Sequence, residues 1–224
     1  MKSKLLLLTG GFVLLSSSVY GAALCQTVLV AGNFQEMITA GSCNVGNVLF
    51  SGFSTTMTAS SILVSTNGGV GSAIGALIGF TYNYVGGTLP GGSIQWIAAF
   101  DPTAGVACPV NNVCGLIGSA TQIHVFVPNS AVVTSTYTGG FVGSNSVDGS
   151  SLASQSNQTT FPMIVAPGSL GRVSTYNGLG TLSSFETDVV TGAVSAVPEP
   201  TSLLFLGTGL LALGFIKRRS RQKS

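Results

Sequence analysis

The stretch LIGFTYNYVGGTLPGGSIQWIAAF, residues 77–100, predicts two neighbouring β-strands joined by a glycine-rich turn. Leu77–Val85 and Ser93–Phe100 are short and rich in aromatic and β-branched residues, which is typical of strands. Gly86-Gly87 and Pro90-Gly91-Gly92 are strong turn signals between them. Because this pattern recurs along the chain, the stretch sets the expectation for the whole body of the protein.

Further segments of the chain have the same strand character and are bounded by Gly, Asn, Pro and Ser. They are Val48–Phe53, Ile62–Ser65, Gln122–Val127, Val132–Thr138, Thr160–Val165, Gly171–Tyr176 and Leu182–Val190. About nine short strands with regular turns predict an all-β fold, a β-sandwich of the jelly-roll or immunoglobulin-like type.

Two other segments of the body depart from the strand pattern. One short helix is predicted at Phe34–Thr39, because Asn33 can cap it and Glu36 is placed to complete a capping box. A long loop is predicted from Val142 to Gln158, where Ser, Asn, Gly and Gln dominate and no apolar period is visible. The body is therefore expected to contain one helix and one extended irregular segment.

The charge distribution excludes several classes of function. The chain has 224 residues, of which 45% are hydrophobic and only 6% charged, whereas average globular proteins carry about 25% charged residues. Low charge combined with high apolar content excludes intrinsic disorder. The basic residues lie almost entirely at the two ends, so Arg172 is the one basic residue between Leu24 and Val197. A nucleic-acid binder needs clustered Lys and Arg, so nucleic acid is excluded as a partner.

Residues 1–23 have the three parts of a secretory signal peptide. Two lysines precede the apolar stretch Leu5–Leu15, and Ser16–Ala23 is small and polar. Cleavage after Gly21 and cleavage after Ala23 both satisfy the small-residue requirement of the peptidase. A non-cleaved membrane anchor is the alternative.

The other end of the chain combines a proline motif, an apolar stretch and a basic cluster. Pro198-Glu199-Pro200 precedes the apolar residues 202–216, and the basic residues that follow are Lys217, Arg218, Arg219 and Arg221. As a helix this stretch would be roughly 22 Å long, which is short against a hydrocarbon core of about 30 Å. Basic residues directly after an apolar stretch are expected to stay in the cytoplasm. We therefore predict a transmembrane helix at 202–216.

This combination resembles the PEP-CTERM sorting signal, in which a Pro-Glu-Pro motif precedes a short glycine-containing transmembrane helix and a terminal Arg cluster. Here the helix glycines are Gly207, Gly209 and Gly214. The resemblance implies recognition and tail removal by an exosortase, a membrane cysteine protease, in a Gram-negative bacterium that makes extracellular polysaccharide. It also implies an inner-membrane precursor that reaches the cell envelope, the outer surface or the extracellular matrix. A simple tail-anchored protein is the alternative.

The expected domain organisation follows from these two ends. It comprises a signal peptide at 1–23, a β-sandwich domain at 24–190, a linker at 191–197 and a sorting tail at 198–224.

Four cysteines, Cys25, Cys43, Cys108 and Cys114, lie in the body that is expected to be exported, where disulfides can form. Of the three connectivities, we favour pairing between neighbours, Cys25–Cys43 and Cys108–Cys114, because Pro109 and Asn111-Asn112 favour a turn within the second loop. Neither pair has the short spacing that is typical of zinc ligands, so disulfides are favoured over a metal site.

Residues with catalytic or metal-binding chemistry are scarce. The single histidine, His124, is expected at the surface of a strand, and no Gly-x-Ser-x-Gly motif is present. Glu186 and Asp188 share one strand face, which indicates a solvated edge more readily than half of a calcium site. We therefore expect no enzymatic activity, no catalytic residues, no cofactor and no metal.

An aromatic row offers one candidate ligand face. Phe80, Tyr82 and Tyr84 lie on one side of a predicted strand and could stack against sugar rings, although such rows also build ordinary cores. The core interpretation is favoured, also for Trp96. The sequence thus predicts a non-enzymatic β-sandwich protein of the cell surface or extracellular matrix. The alternative is a carbohydrate-binding module whose partner is exopolysaccharide.

Overall fold

A computed structural model describes residues 22–68, 74–85, 89–125, 130–150, 154–177 and 182–195. The strands in chain order are β1 (Ser42–Val45), β2 (Val48–Thr55), β3 (Ile62–Asn67), β4 (Leu77–Tyr84), β5 (Gly92–Phe100), β6 (Asn112–Val125), β7 (Val132–Gly139), β8 (Gly143–Asp148), β9 (Gln155–Ile164), β10 (Ser169–Tyr176) and β11 (Leu182–Ser195). They form two antiparallel sheets. Sheet A has the order β1-β2-β5-β10-β7-β8, and sheet B has the order β3-β4-β11-β6-β9. The predicted all-β class is confirmed.

Strands β4 to β11 pair in a nested order. β4 pairs with β11, β5 with β10, β6 with β9, and β7 with β8. This pairing is that of one long hairpin wrapped into two sheets, which is the jelly-roll arrangement of two Greek keys. β1 and β2 extend sheet A beyond β5, and β3 extends sheet B beyond β4.

The predicted loop at 142–158 is largely strand, because β8 and the first residues of β9 lie within it. The residues of β8 alternate between buried and exposed, but the sequence does not alternate between apolar and polar, because the buried residue Asn145 is polar. The Asn145 side chain accepts a hydrogen bond from Thr121 Oγ1 (3.1 Å) and donates one to Thr159 Oγ1 (3.0 Å). Hydrogen bonds thus replace apolar contacts at this position.

The predicted linker at 191–197 also differs from the structure. β11 continues to Ser195 and remains paired with β6, with Ser195 opposite Asn112. Thr191 is fully buried and accepts a hydrogen bond from the backbone N–H of Gly75 (3.2 Å). The strand therefore ends directly before the C-terminal tail.

The predicted capping box is present at helix α2 (Phe34–Ala40). Asn33 Oδ1 accepts a hydrogen bond from Glu36 N, and Glu36 Oε2 accepts one from Asn33 N, both at 3.3 Å. Two short helical elements were not predicted, helix α1 (Cys25–Val28) and a 3₁₀ turn at Ala59–Ser61. α2 buries Phe34 and Met37 against the sandwich.

The two ends of the sandwich carry different connections. At one end lie the β5–β6, β7–β8 and β9–β10 connections together with the last residue of β11, and we call this the exit end. The β4–β5, β6–β7, β8–β9 and β10–β11 connections lie at the opposite end, which we call the far end. The chain therefore leaves the described fold at the exit end.

Candidate functional site

Both predicted disulfides are present. Cys25–Cys43 joins α1 to β1, and Cys108–Cys114 closes the turn before β6. Cys25 and Cys43 are fully buried. The first bond therefore fastens the N-terminal segment to sheet A, and the second braces a surface loop at the exit end.

The aromatic row of β4 lies in the core and does not form a ligand face. Phe80 and Tyr82 are fully buried, and Tyr84 is partly buried against the same cluster. Thr187 Oγ1 donates a hydrogen bond to Tyr82 Oη (3.3 Å), and burial raises the pKa of the Tyr82 phenol. The even-numbered residues of β4 point towards sheet A, where Phe50 meets Phe80 edge-on at 4.7 Å between ring centroids. Trp96 is buried as predicted.

Arg172, the one basic residue of the body, lies inside the sandwich with 1% of its surface exposed. Within the described residues, the oxygen atoms that accept hydrogen bonds from its guanidinium are all neutral. Nη1 donates to Ser119 Oγ (2.8 Å), Ala120 O (2.8 Å) and Asp188 O (3.1 Å). Nη2 donates to Thr121 Oγ1 (2.6 Å) and Ser135 Oγ (2.9 Å). Nε donates to Ser174 Oγ (3.1 Å). Because Arg172 belongs to β10 in sheet A while Ser119 and Asp188 belong to sheet B, this network ties the two sheets together.

Aromatic rings enclose the same guanidinium. Its Cζ atom lies 5.5 Å from the ring centroid of Trp96 and 5.6 Å from that of Tyr137, which is within the range of cation–π attraction. Burial lowers the pKa of Arg172, while Tyr137, Asp188 and Tyr82 raise it. The buried positive charge is therefore stabilised by hydroxyl and carbonyl dipoles and by π faces.

This role of Arg172 was not predicted from the sequence. One signal was available, because the alternation within β10 places Arg172 on the same face as the buried Leu170 and Tyr176. The general rule that Arg is exposed gave the opposite expectation.

Asp188 lies on the outer face of sheet B but is buried, with 2% exposure, so the expected solvated edge is wrong for this residue. Its Oδ1 accepts a hydrogen bond from Asn67 Nδ2 (3.0 Å), and Thr81 Oγ1 donates one to Asn67 Oδ1 (2.7 Å). A Cβ atom at Gly79 would come within 2.7 Å of Asp188 Oδ1, so only glycine leaves room for this carboxyl. Burial raises the pKa of Asp188 to about 6.

His124 and Glu186 lie on the same outer face and are partly exposed. His124 Nε2 lies 3.2 Å from Glu186 Oε1, and Ser154 Oγ lies 2.6 Å from His124 Nδ1. Ser154, His124 and Glu186 are of the residue types that serve as nucleophile, base and orienting acid in hydrolases. Hydrolysis would in addition require preorganised donors for the oxyanion, so this row alone does not make a catalytic site. Within the described parts of the chain, no group of three or more His, Cys, Asp or Glu side chains could hold a metal ion.

The remaining predicted site residues belong to the C-terminal tail. Residues 196–219 match the family model of the PEP-CTERM protein-sorting motif. This chain carries a PEP-CTERM sorting motif. The match includes Pro198, Glu199 and Pro200 and the first three residues of the basic cluster, whereas Arg221 lies beyond it. The PEP-CTERM motif indicates an exported protein that is sorted by an exosortase to the cell envelope.

The segments predicted to contact the membrane lie outside the described residues. These are the signal peptide at 1–23, except for its last two residues, and the helix at 202–216. Of the helices that the structure describes, none is both long and apolar enough to cross a bilayer.

Comparisons with other proteins add little about the body of the protein, which precedes the sorting motif. No curated protein matches the sequence. A solved structure of TmCBM61 in complex with beta-1,4-galactotriose is similar with a TM-score of 0.35 and 12% identity, over 78% of this chain and 98% of that one. The enzymatically active domain of tailspike protein 4 from bacteriophage CBA120 gives a TM-score of 0.27 and 12% identity, over 67% of this chain and 20% of that one. Both TM-scores are too low for an inference about fold or ligand.

Proposed function

We propose that this protein is a non-enzymatic β-sandwich module of the cell surface or extracellular matrix, delivered as an inner-membrane precursor and released by exosortase cleavage near Pro198-Glu199-Pro200. The match of residues 196–219 to the sorting motif carries the proposal. The producing cell is then a Gram-negative bacterium that makes exopolysaccharide, and the matrix of that polysaccharide is where the module acts.

Two properties of the folded body support an extracellular role. Two disulfides close loops in the described fold, and such bonds persist in oxidising compartments. The interior also holds an unusually polar network around Arg172, while the outer faces depend on Ser, Thr, Asn and Gln for solvation. Such a weakly charged surface suits contact with neutral, hydroxyl-rich surroundings.

The alternative of a carbohydrate-binding module acting through Phe80, Tyr82 and Tyr84 is not retained. Two of the three rings are fully buried, and a sugar could reach them only if the sandwich opened.

Replacement of Pro198, Glu199 and Pro200 by alanine tests the sorting proposal in the producing bacterium. We expect the wild-type body in the outer envelope or the medium without its tail, and the triple variant in the inner membrane with the tail retained. Thr201→Ala is the matched control and should behave as wild type. Equal release of the triple variant, or accumulation of the wild-type chain in the cytoplasm, would contradict the proposal. Cell fractionation with antibodies against the body and against the tail distinguishes these outcomes.

A further inference from the structure

Five exposed valines of the described residues lie at the exit end of the sandwich. Val110 is 89% exposed, Val142 is 78% exposed and Val194 is 53% exposed, and Val113 and Val165 are also exposed. Val110 is part of the β5–β6 connection, Val142 of the β7–β8 connection and Val165 of the β9–β10 connection. Val194 pairs with Val113 where β11 runs beside β6. These five valines, which we call the valine rim, therefore lie at the same end of the sandwich as the point where the chain leaves the described fold.

Charged residues avoid the same end. Of the charged residues between 22 and 195, Asp101 alone lies there, and its carboxylate accepts hydrogen bonds from Thr103 N (2.9 Å), Thr103 Oγ1 (2.6 Å) and Asn44 Nδ2 (3.0 Å). Asp148 pairs with Val132 next to the β8–β9 connection at the far end. Glu36 belongs to the capping box of α2, and its partner Asn33 forms a β-bridge with Leu63. Leu63 is the second residue of β3, so Glu36 lies towards the far end. Among the described residues, the exit end thus carries five exposed valines and one charged residue, whereas the far end carries carboxylates together with the exposed Val85.

The loop that carries Val110 is held in place at both sides. The Cys108–Cys114 disulfide closes its base. On the other side, Asn47 Nδ2 donates hydrogen bonds to Ala104 O and Val106 O, both at 2.6 Å, and Asn47 Oδ1 accepts one from Val106 N (3.0 Å). Asn47 is buried. An exposed valine at the tip of a braced loop does not collapse onto the core, so its exposure is a fixed feature of the fold.

The short segment between the last strand and the predicted membrane helix limits the distance between the exit end and the bilayer. β11 ends at Ser195, and the apolar stretch predicted to enter the membrane begins at residue 202. Even a fully extended chain covers at most about 25 Å over these positions. While the tail is inserted, the exit end therefore remains close to the bilayer surface.

We propose that the valine rim rests on the lipid bilayer beside the inserted tail in the precursor. This inference rests on the proposed sorting function and adds an orientation to it. Valine side chains gain by leaving water at the interface, whereas the carboxylates of the far end would lose hydration there. In this orientation the His124–Glu186 row lies towards the end of the sandwich that is turned away from the bilayer.

Tryptophan fluorescence in the full-length chain tests this orientation. Val110→Trp places an indole on the valine rim, and Val85→Trp places one on an exposed site at the far end, where Val85 is 67% exposed. The single native tryptophan, Trp96, is buried and gives the same background in both variants. The proteins are reconstituted into phosphatidylcholine vesicles with brominated acyl chains. Because interfacial side chains lie about 5–10 Å into the headgroup and acyl boundary, we expect quenching at least about twofold greater for Val110→Trp than for Val85→Trp.

Three outcomes separate this inference from the proposed function. Stronger quenching of Val110→Trp, and of Val142→Trp as a second reporter on the valine rim, supports docking. If the chain stays with the vesicles after alkaline carbonate washing but the rim and far-end variants are quenched equally, docking is contradicted. The tethered precursor is then still supported. Loss of the chain from the vesicles in that wash contradicts the tethered precursor, and the docking inference falls with it.

Discussion

Replacing Arg172 with alanine is expected to lower the free energy of unfolding by about 3–5 kcal/mol, because the truncation opens a cavity in the core and removes several buried hydrogen bonds. The substitution removes the Arg172 donors to Ala120 O, to Asp188 O and to hydroxyls of both sheets, while Ser119 Oγ still donates to Asp188 O (2.6 Å). Buried acceptors without partners each cost roughly 1–3 kcal/mol. The truncation also leaves a cavity between the rings of Trp96 and Tyr137. Urea denaturation with both disulfides intact measures the change.

Two companion variants identify the cause of that loss. Arg172→Met fills much of the volume but donates no hydrogen bond, so it should still be destabilised by roughly 1–3 kcal/mol. Thr175→Ala lies on the exposed face of the same strand and should stay within about 0.5 kcal/mol of wild type. If Arg172→Ala were as stable as Thr175→Ala, the network would not hold the sheets together. If Arg172→Met were as stable as wild type, the hydrogen bonds would contribute nothing beyond packing.

A second large effect is expected from the pH dependence of stability, through Asp188. Burial raises the pKa of its carboxyl from 3.8 to about 6; the Asn67 hydrogen bond and Arg172 oppose this shift, and Glu186 adds to it. Between these two values the folded state holds a proton that the unfolded state has released. The resulting stabilisation is complete below pH 3.8 and is lost as pH rises to 6 and above. A shift of this size corresponds to on the order of 3 kcal/mol.

Comparison with Asp188→Asn isolates this contribution. Asn67 can still donate to the new amide oxygen, so the variant should fold and should lack the titration. We expect wild type to lose stability relative to Asp188→Asn as the pH is raised from 4 to 7. Asp148→Asn is the control with the opposite sign, because hydrogen bonds from Ser150 lower the pKa of Asp148, and its stabilisation disappears as pH falls. Parallel stability curves for wild type and Asp188→Asn would show that the buried carboxyl does not titrate in this range.

The fold class could be predicted because many segments are short, rich in β-branched and aromatic residues, and bounded by Gly, Asn, Pro and Ser. Val48–Phe53, Ser93–Phe100 and Gly171–Tyr176 all coincide with observed strands. β8 was not predicted because Asn145 stands where an apolar residue would be expected on the inward face. The burial of Asn145 depends on hydrogen-bond partners in β6 and β9, which are distant in sequence. The last residues of β11 were not predicted for a related reason, because Thr191 and Gly192 are buried but lack large apolar side chains.

The side chains that matter most were harder to predict than the strands. Alternation shows that Phe80 and Tyr82 share a face, but it does not say which face points towards the other sheet. The same ambiguity concealed Arg172, whose burial is tolerable only because hydroxyls from β6 and β7 converge on its guanidinium. Asp188 needed a glycine on the neighbouring strand, Gly79, to become buried. The disulfide pairs were predictable, because both are formed between neighbouring cysteines and one closes a turn that its own residues favour.

Intact-mass spectrometry of the protein recovered from the envelope or the medium tests the account most directly. The account predicts a mass for a chain that begins after Gly21 or Ala23, ends near Pro198-Glu199-Pro200 and contains two disulfides. Recovery of the complete 224-residue chain with four free thiols would contradict it.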